Sequence, residues 1–317
     1  MAGSQRVYRA RISSTQSLKK IFRAMELIAA SRIGRARDAA MAQAPYSHGL
    51  TKAVALAAAH VADLKHPLIT ERTDTDRVAL LVLSADRGMA GAYTANVLRE
   101  AEAHAAELEA KGLKPVRYVA GRRAISFYDF RGVEMAGQWT GHSDSPSFDI
   151  ASEIADTMLE VFTAEEGDPS AVCEMHVVYT HFKNMVSQSP RIIRMLPLEF
   201  IDIEDPDEDS KEIRKLPGGE QVHISDDLYP LYLFEPEAED VLDALLPRYV
   251  RSRIYDCLLQ SAASELANRQ RAMHTATENA EDLVRKYTRL ANQARQADIT
   301  QEISEIVSGA DAMASGS

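Results

Sequence analysis

MHTATENAEDLVRKYTRLANQARQA, residues Met273–Ala297, places apolar or small side chains at Met273, Ala276, Ala280, Leu283, Tyr287, Leu290, Ala294 and Ala297. The steps between them alternate three and four without a break, the spacing of a helix seam packed in a coiled coil. Around this stretch, the chain from Arg248 to Ser308 contains neither glycine nor proline. A helix over that span is about 90 Å long at roughly 1.5 Å per residue, too long to be buried in a domain of ordinary size. Four of the eight seam positions are alanine, and small seam residues let two helices approach closely, which favours a thin, stiff rod.

A rod with one apolar seam needs a partner. Residues 4–44 hold a single glycine, Gly34, and no proline, and Leu18, Ile21, Met25 and Ile28 again step by three and four, the mark of a second helix with one apolar stripe. Beyond Ile28 the same face carries Arg32, Arg35 and Ala39, so it turns charged. Pro45 is expected to kink or end this helix, with a second piece from about Ser47 to Asp63. The simplest arrangement is an intramolecular antiparallel coiled coil of the N- and C-terminal helices.

Between the helices the periodicity changes. Arg77–Ser84 reads as a buried strand, Thr94–Lys111 as a helix stopped by Gly112, and Pro115–Ala120 as a second strand. Arg122–Asp129 and Asp149–Phe162 read as helices, and Val133–Gln138 and Cys173–Phe182 as strands. Such alternation predicts a Rossmann-like α/β domain with a mostly parallel sheet. Asp202–Asp227 is rich in Asp, Glu, Pro and Gly without an apolar period, and reads as a mobile surface loop. Pro236 is placed as the first residue of the last helix, with Pro247 an early kink. The expected division is 1–63 for the N-terminal shaft helix, 77–200 for the α/β domain, 201–235 for the acidic loop and return segment, and 236–310 for the C-terminal shaft helix.

The chain has 317 residues, 45% apolar and 6% aromatic, which excludes disorder throughout. No run approaches the roughly 20 uncharged apolar residues of a membrane span. The N-terminus lacks the apolar segment of a signal peptide and reads as that of an unprocessed cytoplasmic protein. Two distant cysteines, Cys173 and Cys257, exclude a disulfide framework and read as small packing residues. The net charge of -11 is uneven: +8 over residues 1–60, -18 over 61–240 and -1 over the remainder. A basic arm without interleaved aromatics suits an acidic protein surface better than nucleic acid.

The most enzyme-like feature is Ser84-Ala85-Asp86-Arg87-Gly88-Met89-Ala90-Gly91, since glycines between a strand and a helix can cradle phosphate. It lacks the Gly-Lys-Ser/Thr ending of a P-loop and the three-glycine dinucleotide spacing, so a tight structural turn is the preferred reading. His176 and His181 fall on opposite faces of one strand, and the scattered histidines supply no metal motif. No cofactor is expected.

Two terminal motifs are more specific. Ala297-Asp298-Ile299-Thr300-Gln301-Glu302-Ile303-Ser304-Glu305-Ile306-Val307-Ser308-Gly309-Ala310 resembles the signature of gamma subunits of bacterial F-type ATP synthases. Ile21-Phe22-Arg23-Ala24-Met25-Glu26-Leu27-Ile28-Ala29-Ala30-Ser31-Arg32 is similar to that family's N-terminal hallmark. Ser84–Gly91 resembles the family's Asp-Arg-Gly turn, and Phe234-Glu235-Pro236 with Leu245–Val250 its approach to the last helix. The resemblance implies a non-catalytic, single-copy central shaft on the cytoplasmic face of the plasma membrane. Its implied partners are the alpha and beta subunits, the epsilon subunit and the c ring. It further implies that Arg295, Gln296 and Thr300 meet a beta-subunit loop, that Glu302 and Ile303 join the contact with the head, and that Met25, Ser31 and Arg32 lie near the acidic lever of beta. Two other classes predict different properties: an α/β nucleotide enzyme would bind nucleotide at Gly88–Gly91, and a coiled-coil adaptor would form a parallel dimer.

Overall fold

In the computed structural model, strand β1 (Arg77–Leu83) is buried from Val78 to Leu83 and forms the centre of the sheet. The structure describes residues 2–59, 66–198, 201–203, 213–215, 221–223 and 238–314. In chain order the remaining elements are α1 (Ala2–Ala59), α2 (Tyr93–Ala110), β2 (Lys114–Ala120), α3 (Arg122–Arg131), β3 (Met135–Trp139), α4 (Phe148–Phe162), β4 (Glu174–Phe182), β5 (Gln188–Leu196), β6 (Ile201–Ile203), β7 (Ile213–Lys215), β8 (Gln221–His223) and α5 (Ala238–Ala314). Two compact units divide them, residues 31–268 and residues 1–30 with 269–317.

The larger unit is built on a five-stranded sheet of order β3-β2-β1-β4-β5. β1 pairs in parallel with β2 and β4, and β2 with β3. Because successive strand residues face opposite sides, β1 supplies two cores. Ala79, Leu81 and Leu83 face α4, the C-terminal part of α1 and the first turns of α5, packing with Ile154, Met158, Val54, Leu246, Tyr249 and Ile254. Leu80 and Val82 face α2 and meet Val97, Ala101 and Ala105. An unbroken apolar run such as RVALLVL is what a strand covered on both faces requires.

Three features differ from the sequence expectation. β5 pairs antiparallel with β4, and its Pro190 hides it from a strand search. Proline lacks the N–H for a ladder bond and is tolerated because β5 is the sheet edge. α1 continues through Pro45, so the helix does not end there, and α5 likewise includes Pro247, where only a kink was expected. For α1, the turns after Pro45 are secured by buried Leu50, Val54, Ala55 and Leu56, and by Ser47 Oγ donating to Asp256 Oδ2 at 2.9 Å. Within the acidic stretch read as a loop, β6, β7 and β8 form an antiparallel three-stranded sheet. Its other residues, with Pro236 and the Phe234–Pro236 motif, lie outside the described residues. Both cysteines are free and buried, and burial pushes the Cys257 thiol up to about 12.

The smaller unit pairs the start of α1 with the end of α5, antiparallel: Lys19 Nζ meets Glu281 Oε1 at 2.6 Å, Glu26 Oε1 meets His274 Nδ1 at 3.1 Å, and Tyr8 stacks on Tyr287. On α1 the seam is turned one residue from the expected stripe, whereas on α5 four of the eight expected positions, Met273, Ala280, Tyr287 and Ala294, lie in it. On α1 the covered positions are Tyr8, Ile12, Thr15, Lys19, Phe22, Glu26 and Ala29, and on α5 Met273, Thr277, Ala280, Val284, Tyr287, Ala291, Ala294 and Asp298. Leu18, Ile21 and Ile28 are exposed, as is Leu283. Three-four spacing is preserved, so the periodicity was sound. Ala29, Ala280 and Ala291 are buried, and small residues at such positions let bulkier aliphatics lie outside.

Candidate functional site

The turn after β1 is where an α/β sheet would hold a ligand, because α2 and α4 leave on opposite faces and open a switch point. Here the chain fills it. The Asp86 carboxylate accepts from the backbone N–H groups of Arg122 at 3.0 Å, Gly141 at 2.8 Å and Ser143 at 3.0 Å. Ser143 Oγ accepts from the Asp86 N–H at 2.9 Å. Burial alone would raise the Asp86 pKa, but the three backbone donors outweigh it and hold the carboxyl below its usual range. A side-chain carboxylate thus occupies a nest of N–H groups of the kind that binds phosphate elsewhere.

Space agrees with chemistry. The cavity beside this turn, lined by Ser84, Asp86, Gly121 and Trp139 among others, holds about 20 Å³, room for about one water molecule. Gly121 has φ +114°, and a Cβ there would sit 2.4 Å from Ser84 O, so strand β2 and the turn are in backbone contact. The turn is a structural joint, which removes the residue set on which nucleotide chemistry would depend.

A larger cavity of about 290 Å³ opens beside Arg32, Arg35, Arg87 and Asp144. Arg32 Nη1 is paired with Asp144 Oδ2, and Arg87 Nη1 lies 3.6 Å from the same oxygen. Three arginines and one carboxylate line the cavity, which leaves it cationic and suited to acidic groups. Arg87 was legible only as part of a turn, and Asp144 escaped the sequence reading. The only signal for Asp144 is its place in the turn-rich Gly141–Pro146 segment.

In the paired-helix unit, Arg295, Gln296, Thr300, Glu302 and Ile303 are all exposed. Thr300 Oγ1 donates to the Gln296 carbonyl at 2.9 Å, a bond within its own helix that leaves the outer face clear. Ile299, Ile303, Ile306 and Val307 are exposed with them. Met25 is half-buried, one residue from buried Glu26. The structure does not gather these residues into one site. The Glu26–His274 pairing sets Met25 level with about Thr275, so Arg295 lies about 30 Å further along the pair at 1.5 Å per residue. Ser31, exposed, and Arg32 belong to the larger unit.

The family profile described as ATP synthase matches residues 4–313. The ATP synthase gamma chain of Beutenbergia cavernae is 60% identical over 314 residues, covering 99% of both chains. That of Kineococcus radiotolerans is 54% identical over 315 residues, covering 99% of this chain and 98% of its own. This chain belongs to the ATP synthase gamma family. A gamma subunit is a non-catalytic part of the F-type ATP synthase, and the filled nest at Asp86 suits that assignment. A chain in the Euglena gracilis mitochondrial ATP synthase OSCP/F1/c-ring structure has the same fold, with a TM-score of 0.64 at 15% identity, covering 100% of this gamma chain and 96% of that one. A second, from the rotor of the same enzyme, gives 0.59 at 16%, covering 94% and 100%. Among the described residues no helix is long and apolar enough to cross a membrane.

Proposed function

We propose that this gamma subunit is the central shaft of its ATP synthase, turning with the c ring and imposing successive conformations on the beta-subunit catalytic sites. The observation that carries the reading is the inverted packing of the paired helices. Leu18, Ile21, Ile28, Leu283, Ile299, Ile303, Ile306 and Val307 face outward, while the seam holds Lys19, Glu26 and Thr277. An apolar band of this length is costly in water and favourable inside a surrounding apolar sleeve. A single-copy rod also satisfies the need for asymmetry, since coupling is a difference in contact free energy between states.

In this reading residues 1–63 and 236–310 supply the shaft, and 77–200 the α/β domain. Met25, Ser31 and Arg32 face the acidic lever of beta. The cationic cavity at Arg32, Arg35 and Arg87 supports that assignment, because acidic side chains are the groups it would favour. Arg295, Gln296, Thr300, Glu302 and Ile303 meet the head nearer the C-terminal tip. The epsilon subunit and c ring complete the partners, on the cytoplasmic face of the bacterial plasma membrane. The test is purification of a tagged chain from its own cells. Alpha, beta, epsilon and c should accompany it in one complex, and Ile21→Asp should lower ATP-driven proton pumping at matched complex content. Recovery of the chain without alpha and beta would overturn the proposal.

A further inference from the structure

Away from these surfaces, two imidazoles meet inside the α/β unit. His104 on α2 and His176 on β4 are stacked with ring centroids 4.9 Å apart, and His104 Nε2 lies 2.6 Å from His176 Nδ1. His176 is buried, at 7% exposure, and its Nε2 is 2.8 Å from Glu174 Oε2. The charged groups facing the pair come from three elements. Glu107 on α2 has Oε2 3.6 Å from His104 Nδ1, Glu174 is on β4, and Arg194 on β5 lies 3.5 Å from Glu174 Oε1. From β1 the register neighbour of His176 is the apolar Leu80.

The network assigns the protons. A carboxylate only accepts, so His176 Nε2 carries hydrogen toward Glu174, and in the neutral ring Nδ1 is then an acceptor. His104 must therefore donate from Nε2. One further proton can enter at His104 Nδ1, beside Glu107, with the shared bond intact. The next has nowhere to go without damage: on His176 Nδ1 it would set two N–H groups of two cationic rings against each other at 2.6 Å.

We propose that the His104–His176 pair is an acid-sensitive latch fastening α2 to the sheet. α2 also packs through buried Tyr93, Val97, Leu98, Ala101, Ala105 and Leu108, so the histidine pair is the polar contact within a largely apolar one. Burial lowers the His176 pKa below the ordinary histidine value, against the opposing pull of Glu174. A depressed histidine stabilises the fold fully above about pH 6.5, and that contribution is lost as the pH falls through the lowered folded value. Acidification therefore releases α2 from β4 and β5 while the opposite sheet face, packed on α4 by apolar contacts, stays closed.

Hydrogen–deuterium exchange of the full-length chain at about pH 7.5 and about pH 5, corrected for the intrinsic effect of pH, tests this. Protection of α2 should fall at least about tenfold on acidification, with α4 changing far less. In His104→Gln the amide can turn to offer either its N–H or its oxygen to His176 Nδ1, so α2 should stay protected at neutral pH and the acid step, freed of the ring–ring repulsion, should shrink. His181→Gln, whose native ring contacts Gln260 instead, should retain the step. An acid step that survives undiminished in His104→Gln, that is absent from the native chain, or that is equal in α4 overturns the latch.

Discussion

The sheet and the paired helices bury opposite kinds of residue. Along β1, Leu80, Leu81, Val82 and Leu83 are inside. Along the helix pair most of the leucine and isoleucine lies outside, with Ile12 an exception, and the seam mixes alanine and threonine with Lys19, Glu26 and Phe22. The difference shows that apolar periodicity reports which residues share a face and leaves open what covers it. A sheet in a domain must supply its own cover. A helix pair can leave its larger apolar face to another molecule and use small residues where the helices touch.

If the comparison is right, substitutions should separate chain stability from assembly function. The largest effect on stability belongs to the sheet. Leu81→Ala leaves a void between β1 and α4 and should destabilise the chain by about 2–5 kcal/mol, read by chemical denaturation. A loss below about 1 kcal/mol would mean that this core relaxes around the gap.

Next comes the filled cleft. Asp86→Ala removes the acceptor for three backbone N–H groups and should cost about 1–3 kcal/mol at neutral pH. Because the folded pKa of Asp86 is depressed, this contribution is complete above about pH 4 and lost as the pH falls through the lowered value, so native and variant stabilities should converge only in stronger acid. Nucleotide binding gained by Asp86→Ala would show that the carboxylate was excluding a ligand from a competent cleft.

The seam should respond to added bulk. Ala280→Leu and Ala291→Leu overpack two buried seam positions, at about 1–3 kcal/mol each, and should lower both the melting temperature and ATP-driven pumping in vesicles. Breaking the Lys19–Glu281 pair by Lys19→Ala should cost less than either overpacking change, with an effect that falls further as salt is added, since both partners are substantially exposed.

The smallest effect on the isolated chain sharpens the comparison most. Leu283 is 42% exposed, so Leu283→Ala should shift stability by no more than about 0.5 kcal/mol, yet should lower coupled ATP synthesis in the complex. A large stability loss with unchanged coupling would place Leu283 in the seam and restore the unrotated stripe.

Much of this protein was legible in its residues alone. The run RVALLVL specified a strand buried on two faces, because no surface strand tolerates it. The glycine- and proline-free span after Arg248 specified a long helix, and its three-four rhythm a coiled coil, since helical periodicity is a local property. The terminal motifs named the family for the same reason: they are contiguous in sequence. Only tertiary structure decided which of two adjacent stripes formed the seam, because a turn of about 100° per residue separates them and the winner depends on the distance between the helix axes. Tertiary structure also brought Asp86 to Gly141 and Ser143, Arg87 to Asp144, and His104 to His176. These pairs are formed by residues far apart in the chain, and no local pattern records the distance that closes between them when the sheet is assembled.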